Sequence, residues 1–419
     1  MRSAPARSRD AARLAAVLPA LAALLPGLAA PSGARAEAPA ATWILDGAAL
    51  VETRRRAAAG DPALAPALEK LKDDAEKALK QPPISVLDKD ATPPSGDKHD
   101  YMSVAPYWWP DPSKPDGKPY IRKDGERNPD RKSLGDADAL GRMQGAVTTL
   151  ALARFLTGRD ACAEHAARLL RTWFLDEATR MNPNLSYGQA VPGRTDGRGT
   201  GIVDTAGLIH LVDAAILLEE SAAWTADDRK GLRTWFSKYL DWLLESAHGK
   251  DEAKASNNHA TQYDAQVACY ALYTGRREVA RRVLEKAPAL RIDAQVEPDG
   301  RMPQELARTK SWDYCCVNAY NLLNLARLGG HVDVDLWGYA SKDGRSLRKA
   351  VDFLVPFATG EKTWTAKQIV EFQPDRLGTA LRRAAARWPD GPYASALKRV
   401  PGLSAKDRDR LLHPLPAGD

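Results

Sequence analysis

From Leu140 onward, apolar residues recur at helical spacing and are interrupted by short Gly, Pro and Asp punctuation, while β-branched runs of period two are scarce. The pattern predicts helices over residues 140–156, 161–174, 203–221, 225–246, 258–274, 276–286 and 312–328, with two more over 46–59 and 63–80. Thr225-Ala226-Asp227-Asp228 reads as an N-cap followed by acidic residues that favour the positive end of the helix dipole. Thr157-Gly158-Arg159-Asp160 and Thr274-Gly275-Arg276-Arg277 each close one helix and open the next, so the chain is a series of helical hairpins. Such hairpins can close into an all-α, α/α toroid, an incomplete barrel. Residues 37–419 are read as one such domain, completed by helical segments over 330–419. Two domains are the alternative that its length allows.

Residues 91–130 do not fit the helical pattern. They hold many Pro, Gly and Asp residues together with Tyr101, Tyr107, Trp108, Trp109 and Tyr120. A loop this long in a compact chain is functional or disordered, and its aromatic content argues against disorder. The rings either pin the loop to the body or form a lid on which sugar faces stack.

The first 36 residues change what the charge means. Arg2, Arg7, Arg9 and Arg13 precede an Ala/Leu-rich run, and Ala34-Arg35-Ala36 is a small-x-small cleavage site, so this stretch reads as a signal peptide and the protein as periplasmic or secreted. It carries five Arg and one Asp, four of the six net positive charges, which leaves the remainder near +2. That excess is too small for a general nucleic-acid surface, though a local cationic groove stays open. No later segment reads as apolar for long enough to span a bilayer, so no stable membrane insertion is expected after cleavage. Cys162, Cys269, Cys315 and Cys316 show neither a disulfide framework nor C-x-x-C spacing, which predicts buried reduced thiols and no zinc site.

Three segments carry candidate chemistry. In Lys254-Ala255-Ser256-Asn257-Asn258-His259-Ala260, Ser256 or Asn257 suits the N-cap, and Asn258 and His259 fall in a first helical turn whose N–H groups favour an anion such as a substrate carboxylate. In Pro303 to Tyr314, Arg308 and Tyr314 are six positions apart, about 600° of helix. They can share a site only if Arg308 lies in the turn before the helix and Tyr314 in its first turns. The Gly-rich stretch from Tyr187 to Asp204 lacks the Lys-Ser or Lys-Thr of a nucleotide loop. It suits the rim of a groove, with Arg194 or Arg198 facing an anionic sugar.

These segments, together with Asp100-Tyr101-Met102-Ser103-Val104-Ala105-Pro106-Tyr107-Trp108-Trp109-Pro110-Asp111-Pro112, resemble the alginate lyase family and the related glucuronan lyases. The resemblance runs over residues 97–328. It implies an α/α toroid with a deep groove, cleavage of a β-1,4-linked uronate polymer by β-elimination, and no cofactor or metal. It also implies that Asn258, His259 and Arg308 neutralise the C5 carboxylate while Tyr314 serves as base and acid. Tyr107, Trp108, Trp109, Arg194, Arg198 and Asn257 are candidate contacts to the anionic polysaccharide. The phenol of Tyr314 would need a lowered pKa, which Arg308 or a protonated His259 would supply. The rival readings are a glycoside hydrolase, with Asp100, Asp204 and Asp264 as available carboxylates, and a non-catalytic glycan-binding protein.

Overall fold

The computed structural model describes residues 41–129, 131 and 135–415; the signal peptide read in residues 1–36 lies outside them. The helical periodicity becomes α1 (Gly47–Ala58), α2 (Ala65–Leu79), α3 (Ala137–Thr157), α4 (Asp160–Leu170), α5 (Leu208–Leu217), α6 (Ala226–Glu245), α7 (Ala247–Glu252) and α8 (Asn258–Tyr273). Then follow α9 (Arg277–Ala287), α10 (Pro303–Leu306), α11 (Ser311–Gly330), α12 (Leu347–Ala358), α13 (Gly378–Arg387), α14 (Tyr393–Leu397) and α15 (Asp409–Leu412). Thr225 starts α6 as its sequence suggests: Oγ1 accepts from the Asp228 N–H at 3.2 Å, and the Asp228 carboxylate accepts from the Thr225 N–H at 2.9 Å.

Neighbouring hairpins pack side by side into an α/α toroid. α3 rests on α2, α4 and α5, while α8 touches α5, α6, α9 and α11, and α11 continues the ring to α12 and α13. α8 and α11 are therefore inner helices, buried over most of their length. The functional segments sit at or just before the N-termini of these two helices. All four cysteines are free and buried.

Three sequence expectations are corrected. The helix read over 203–221 is a 3-10 turn, Gly199–Thr205, followed by α5 from Leu208. The turn packs so closely on the preceding strand that a Cβ on Gly201 would lie 2.4 Å from the Gly188 carbonyl oxygen. The segment 161–174 is α4 followed by a π turn, Arg171–Leu175. Gly199–Leu217 does reach the length and apolarity of a membrane span, but it is broken between turn and helix and mostly buried in the body, as core helices of this composition are.

The long loop is ordered by two small pairings. β1 (Met102–Val104) runs parallel to β4 (Tyr187–Ala190), and β2 (Trp108–Trp109) runs antiparallel to β3 (Ile121–Arg122), with Trp108 opposite Arg122. Tyr101 is fully buried and donates to the Asp204 carboxylate at 3.0 Å, so this ring pins the loop to the body.

At the start of the described chain, the buried Asp213 carboxylate on α5 accepts from the N–H groups of Trp43, Ile44 and Leu45 at 2.7, 3.0 and 2.7 Å. Asp213→Asn replaces one acceptor oxygen with a donor facing these N–H groups. It is expected to cost about 1–3 kcal/mol, read as a lower urea midpoint; an unchanged midpoint would contradict this anchoring role.

Candidate active site

The N-terminus of α8 is built by its polar residues. Asn257 is the N-cap, and its Oδ1 accepts from the His259 N–H at 3.2 Å. The Asn258 N–H donates to Glu305 Oε1 at 2.6 Å, and its Nδ2 donates to Glu305 Oε2 at 2.7 Å. The helix terminus expected to receive a substrate carboxylate thus already holds one from the protein. Glu305, on α10, is fully buried; burial raises its carboxyl pKa, opposed by the two Asn258 hydrogen bonds and the charges of Arg308 and His259. What Asn258 offers the cleft is the remainder of its side-chain amide. His259 Nδ1 lies 2.6 Å from Oε1 of the buried Glu252 at the end of α7, which leaves Nε2 for a ligand.

Arg308 and Tyr314 take up the arrangement their spacing demands. Arg308 lies in the turn between α10 and α11, and Tyr314 lies in the first turn of α11. The guanidinium carbon is 3.9 Å from the centre of the Tyr314 ring. Asp124, at the end of the long loop, fixes it there: Arg308 Nη2 donates to Oδ1 at 2.9 Å, and Thr309 Oγ1 donates to Oδ2 at 2.9 Å. Burial would raise the Asp124 carboxyl, but Arg308 and Thr309 overcome it and hold its pKa well below the usual range. Gly125 then turns the chain with φ +79°, where a Cβ would meet Thr309 Oγ1 at 2.4 Å.

The hydroxyls of Tyr314 and Tyr107 are 2.9 Å apart. Burial raises the Tyr314 phenol above its ordinary pKa, the bond to Tyr107 adds to this, and Arg308 only partly opposes it. This corrects the expectation that the site lowers the phenol's pKa without substrate. The cationic neighbour Arg308 was foreseen, whereas the desolvation and the second phenol were not.

These groups line one cleft of roughly 730 Å³. Its wall includes Tyr107, Trp108, Arg198, Asn257, Asn258, His259, Arg308 and Tyr314. Trp109 and Arg194, both candidate substrate contacts, are not part of the wall. Trp109 Nε1 donates to the Glu126 carbonyl at 3.0 Å. Arg194 Nε donates to the Tyr120 carbonyl at 2.9 Å, and its guanidinium backs the Trp108 ring at 5.2 Å. Arg122, Arg127 and Arg131 add positive charge that the sequence reading did not assign. Gln189 also joins the wall, in a left-handed conformation with φ 50°. It ties Arg198 (Nη2 to Oε1, 2.8 Å) to Asp204 (Nε2 to Oδ1, 2.9 Å), so a strained residue organises that rim. Among the described residues no cluster of three His, Cys, Asp or Glu side chains could hold a metal ion.

The family model described as alginate lyase matches residues 85–364. An alginate lyase crystal structure from Bacteroides ovatus superposes with a TM-score of 0.87 at 41% identity, covering 90% of this chain and 100% of that one. Alginate lyase A1-III from Sphingomonas species A1 superposes with a TM-score of 0.56 at 17% identity, covering 90% of this chain and 97% of that one. A histidine-to-alanine variant of that enzyme in complex with a tetrasaccharide superposes with a TM-score of 0.54 at 15% identity, covering 91% and 98%. No curated protein matches the chain.

Proposed function

The chain belongs to the alginate lyase family and is a polysaccharide lyase, and on that premise we propose that it cuts a β-1,4-linked polymer of mannuronate or glucuronate by β-elimination at Tyr314. The observation that carries this reading is the Tyr314 hydroxyl in the cleft, paired with Tyr107 and stacked under Arg308. The C5 proton of a uronate is only weakly acidic, and its removal places charge on the carboxylate as an enolate. Donors aimed at that group lower the barrier. Of the groups that line this cleft, His259 Nε2, the Asn258 amide and Arg308 are assigned that part here.

In mannuronate and glucuronate the C5 proton and the C4 oxygen lie on the same side of the ring, so one group can serve both. The Tyr314 phenolate takes the C5 proton, the C4–O bond breaks as C4=C5 forms, and the phenol returns the proton to the leaving oxygen. Tyr107 donates to the phenolate while it is charged. Tyr107→Phe removes that donor and is expected to lower kcat about tenfold to a hundredfold. An unaltered kcat would remove Tyr107 from the mechanism.

Hydrolysis by paired carboxylates finds no support in this geometry. Asp204 lines the cleft but accepts from Tyr101, Ser103 and Gln189. Asp264 is paired with Arg291 at 2.7 Å, and Asp100 accepts from Ser95, Asn182 and Asn184; neither lines the cleft. The deciding assay sets purified mature protein against polymannuronate, polyguluronate, glucuronan and hyaluronan and follows the ultraviolet absorbance of the unsaturated product. Absorbance that rises with polymannuronate or glucuronan supports the reading, and chain shortening without absorbance would overturn it. We further propose that residues 1–36, read as an export signal, direct this activity to the periplasm or outside the cell.

A further inference from the structure

A second cavity of roughly 230 Å³ lies deeper in the ring, and none of its wall residues borders the cleft that holds Tyr314. α11 reaches both. Tyr314 stands in its first turn, and Tyr320, six residues or about 9 Å further along the helix, lines the second cavity. Leu45, Arg408 and Leu412 also line it, and all three lie outside residues 85–364 of the family match.

The walls are mostly apolar. Leu152 on α3, Ala214 and Leu217 on α5 and Leu412 on α15 face a space larger than the cavity of about 150 Å³ that takes a benzene ring. The polar side chains of the wall are largely committed already. The Tyr320 hydroxyl and His210 Nε2 are 3.0 Å apart, and Thr148 Oγ1 donates to the Gln144 carbonyl at 2.9 Å. Burial, and then the charge of Arg383, pushes the His210 pKa down to about 4, so this imidazole is neutral near pH 7. Arg408 is left as the charged group in the described wall.

Arg408 donates through Nη2 to Thr149 Oγ1 at 2.8 Å. The carboxylates that act on it from further off, Asp74 and Asp409, are engaged elsewhere: Asp74 is paired with Lys70 and Lys77, and Asp409 accepts from the Thr379 hydroxyl. Arg382 and Arg383 are buried at the same end of the ring, and the hydrogen bonds of Arg383 go to neutral oxygens, Asn324 Oδ1 at 2.5 Å and the Leu323 carbonyl at 2.8 Å. Arg382, Arg383, Arg408 and Arg410 outnumber the nearby carboxylates Asp407 and Asp409, and none of the four is ion-paired among the described residues. Of the other charges here, Asp213 is held by three backbone N–H groups and Arg327 is paired with Asp46 at 3.5 Å. Buried cations short of counter-charge favour an anion.

We propose that this cavity binds a small monocarboxylate with a compact apolar body, an aromatic acid of about benzoate size, its carboxylate on Arg408 and its ring among the leucines. The carboxylate supplies the charge-assisted bonds that Arg408 lacks, and the ring fills the apolar remainder. A uronate sugar does not suit the space, because its hydroxyls would lose water against leucine side chains. No residue of this site takes part in the elimination at Tyr314.

Titration calorimetry of the mature protein at constant ionic strength tests this with three probes: benzoate, acetate, which keeps only the charge, and benzyl alcohol, which keeps only the ring. Benzoate is expected to saturate one site and to bind at least about tenfold more tightly than either of the others. Arg408→Gln should weaken benzoate about tenfold to a hundredfold and leave benzyl alcohol unchanged. Ala214→Leu, which puts three more carbons into the cavity, should abolish both, with circular dichroism to check that each variant is folded. The arginine-lined main cleft is the competing place for benzoate. Binding that persists unchanged in both variants would assign it there and overturn the proposal. So would wild type that shows no saturable benzoate binding or takes benzoate no more tightly than acetate, a comparison that needs no variant to fold.

Discussion

Tyr314→Phe is expected to lower kcat by about 10³-fold or more while the circular dichroism spectrum and thermal midpoint stay close to wild type. General acid–base groups typically contribute about 10²–10⁴-fold, and here one hydroxyl is asked to take the C5 proton and return it to the leaving oxygen. The phenylalanine ring can still lie under the Arg308 guanidinium, now 3.9 Å from the ring centre, so the packing of the turn is kept and only the proton carrier is lost. The pH dependence follows from the same group. Burial and the Tyr107 hydroxyl raise the Tyr314 phenol above its ordinary value, so the reactive phenolate is a minor form of the free protein near neutrality. Its fraction grows as pH rises towards that pKa, and kcat/KM should therefore climb between about pH 7 and 9. Substantial turnover by Tyr314→Phe, or a profile flat across that range, would remove Tyr314 as the base.

The parts of this site that could be read from the sequence are those with local signatures. A polar Asn-Asn-His cluster before an apolar periodic run marks a helix N-terminus, and the six-residue spacing of Arg308 and Tyr314 forces the arginine into the preceding turn. Both statements need only helix geometry. The groups that orient these residues leave no such mark. Asp124 meets Arg308 across 184 positions, and Tyr107 meets Tyr314 across 207. Glu305 and Glu252 sit in segments where a carboxylate reads as a solvated helix face, yet both are buried. The 203–221 misreading has a similar origin: Gly199 lies against α7 and Gly201 against β4, close contacts that exist only once the chain has folded. Periodicity reported which helices form and what begins them. The charge pairs that tune the site come from the closure of the ring.

His259 provides the second large effect, because its orientation and its charge can be separated experimentally. The buried Glu252 holds Nδ1 at 2.6 Å and so directs Nε2 to the cleft. The ion pair is made only by the doubly protonated ring, and in that form Nε2 carries the hydrogen that a substrate carboxylate accepts. Losing one donor of this kind typically costs about 10²–10³-fold in kcat, so His259→Ala should fall in that range. Glu252→Gln keeps an acceptor for Nδ1–H while removing the negative charge. If Glu252 serves only to aim the ring, this variant should keep the wild-type pH profile and most of its activity. If its charge sustains the donor, kcat/KM should fall about tenfold or more. The second result is the one expected from a carboxylate buried with a single ionic partner at this distance. Full activity in Glu252→Gln would show that the imidazole donates without the charge of Glu252.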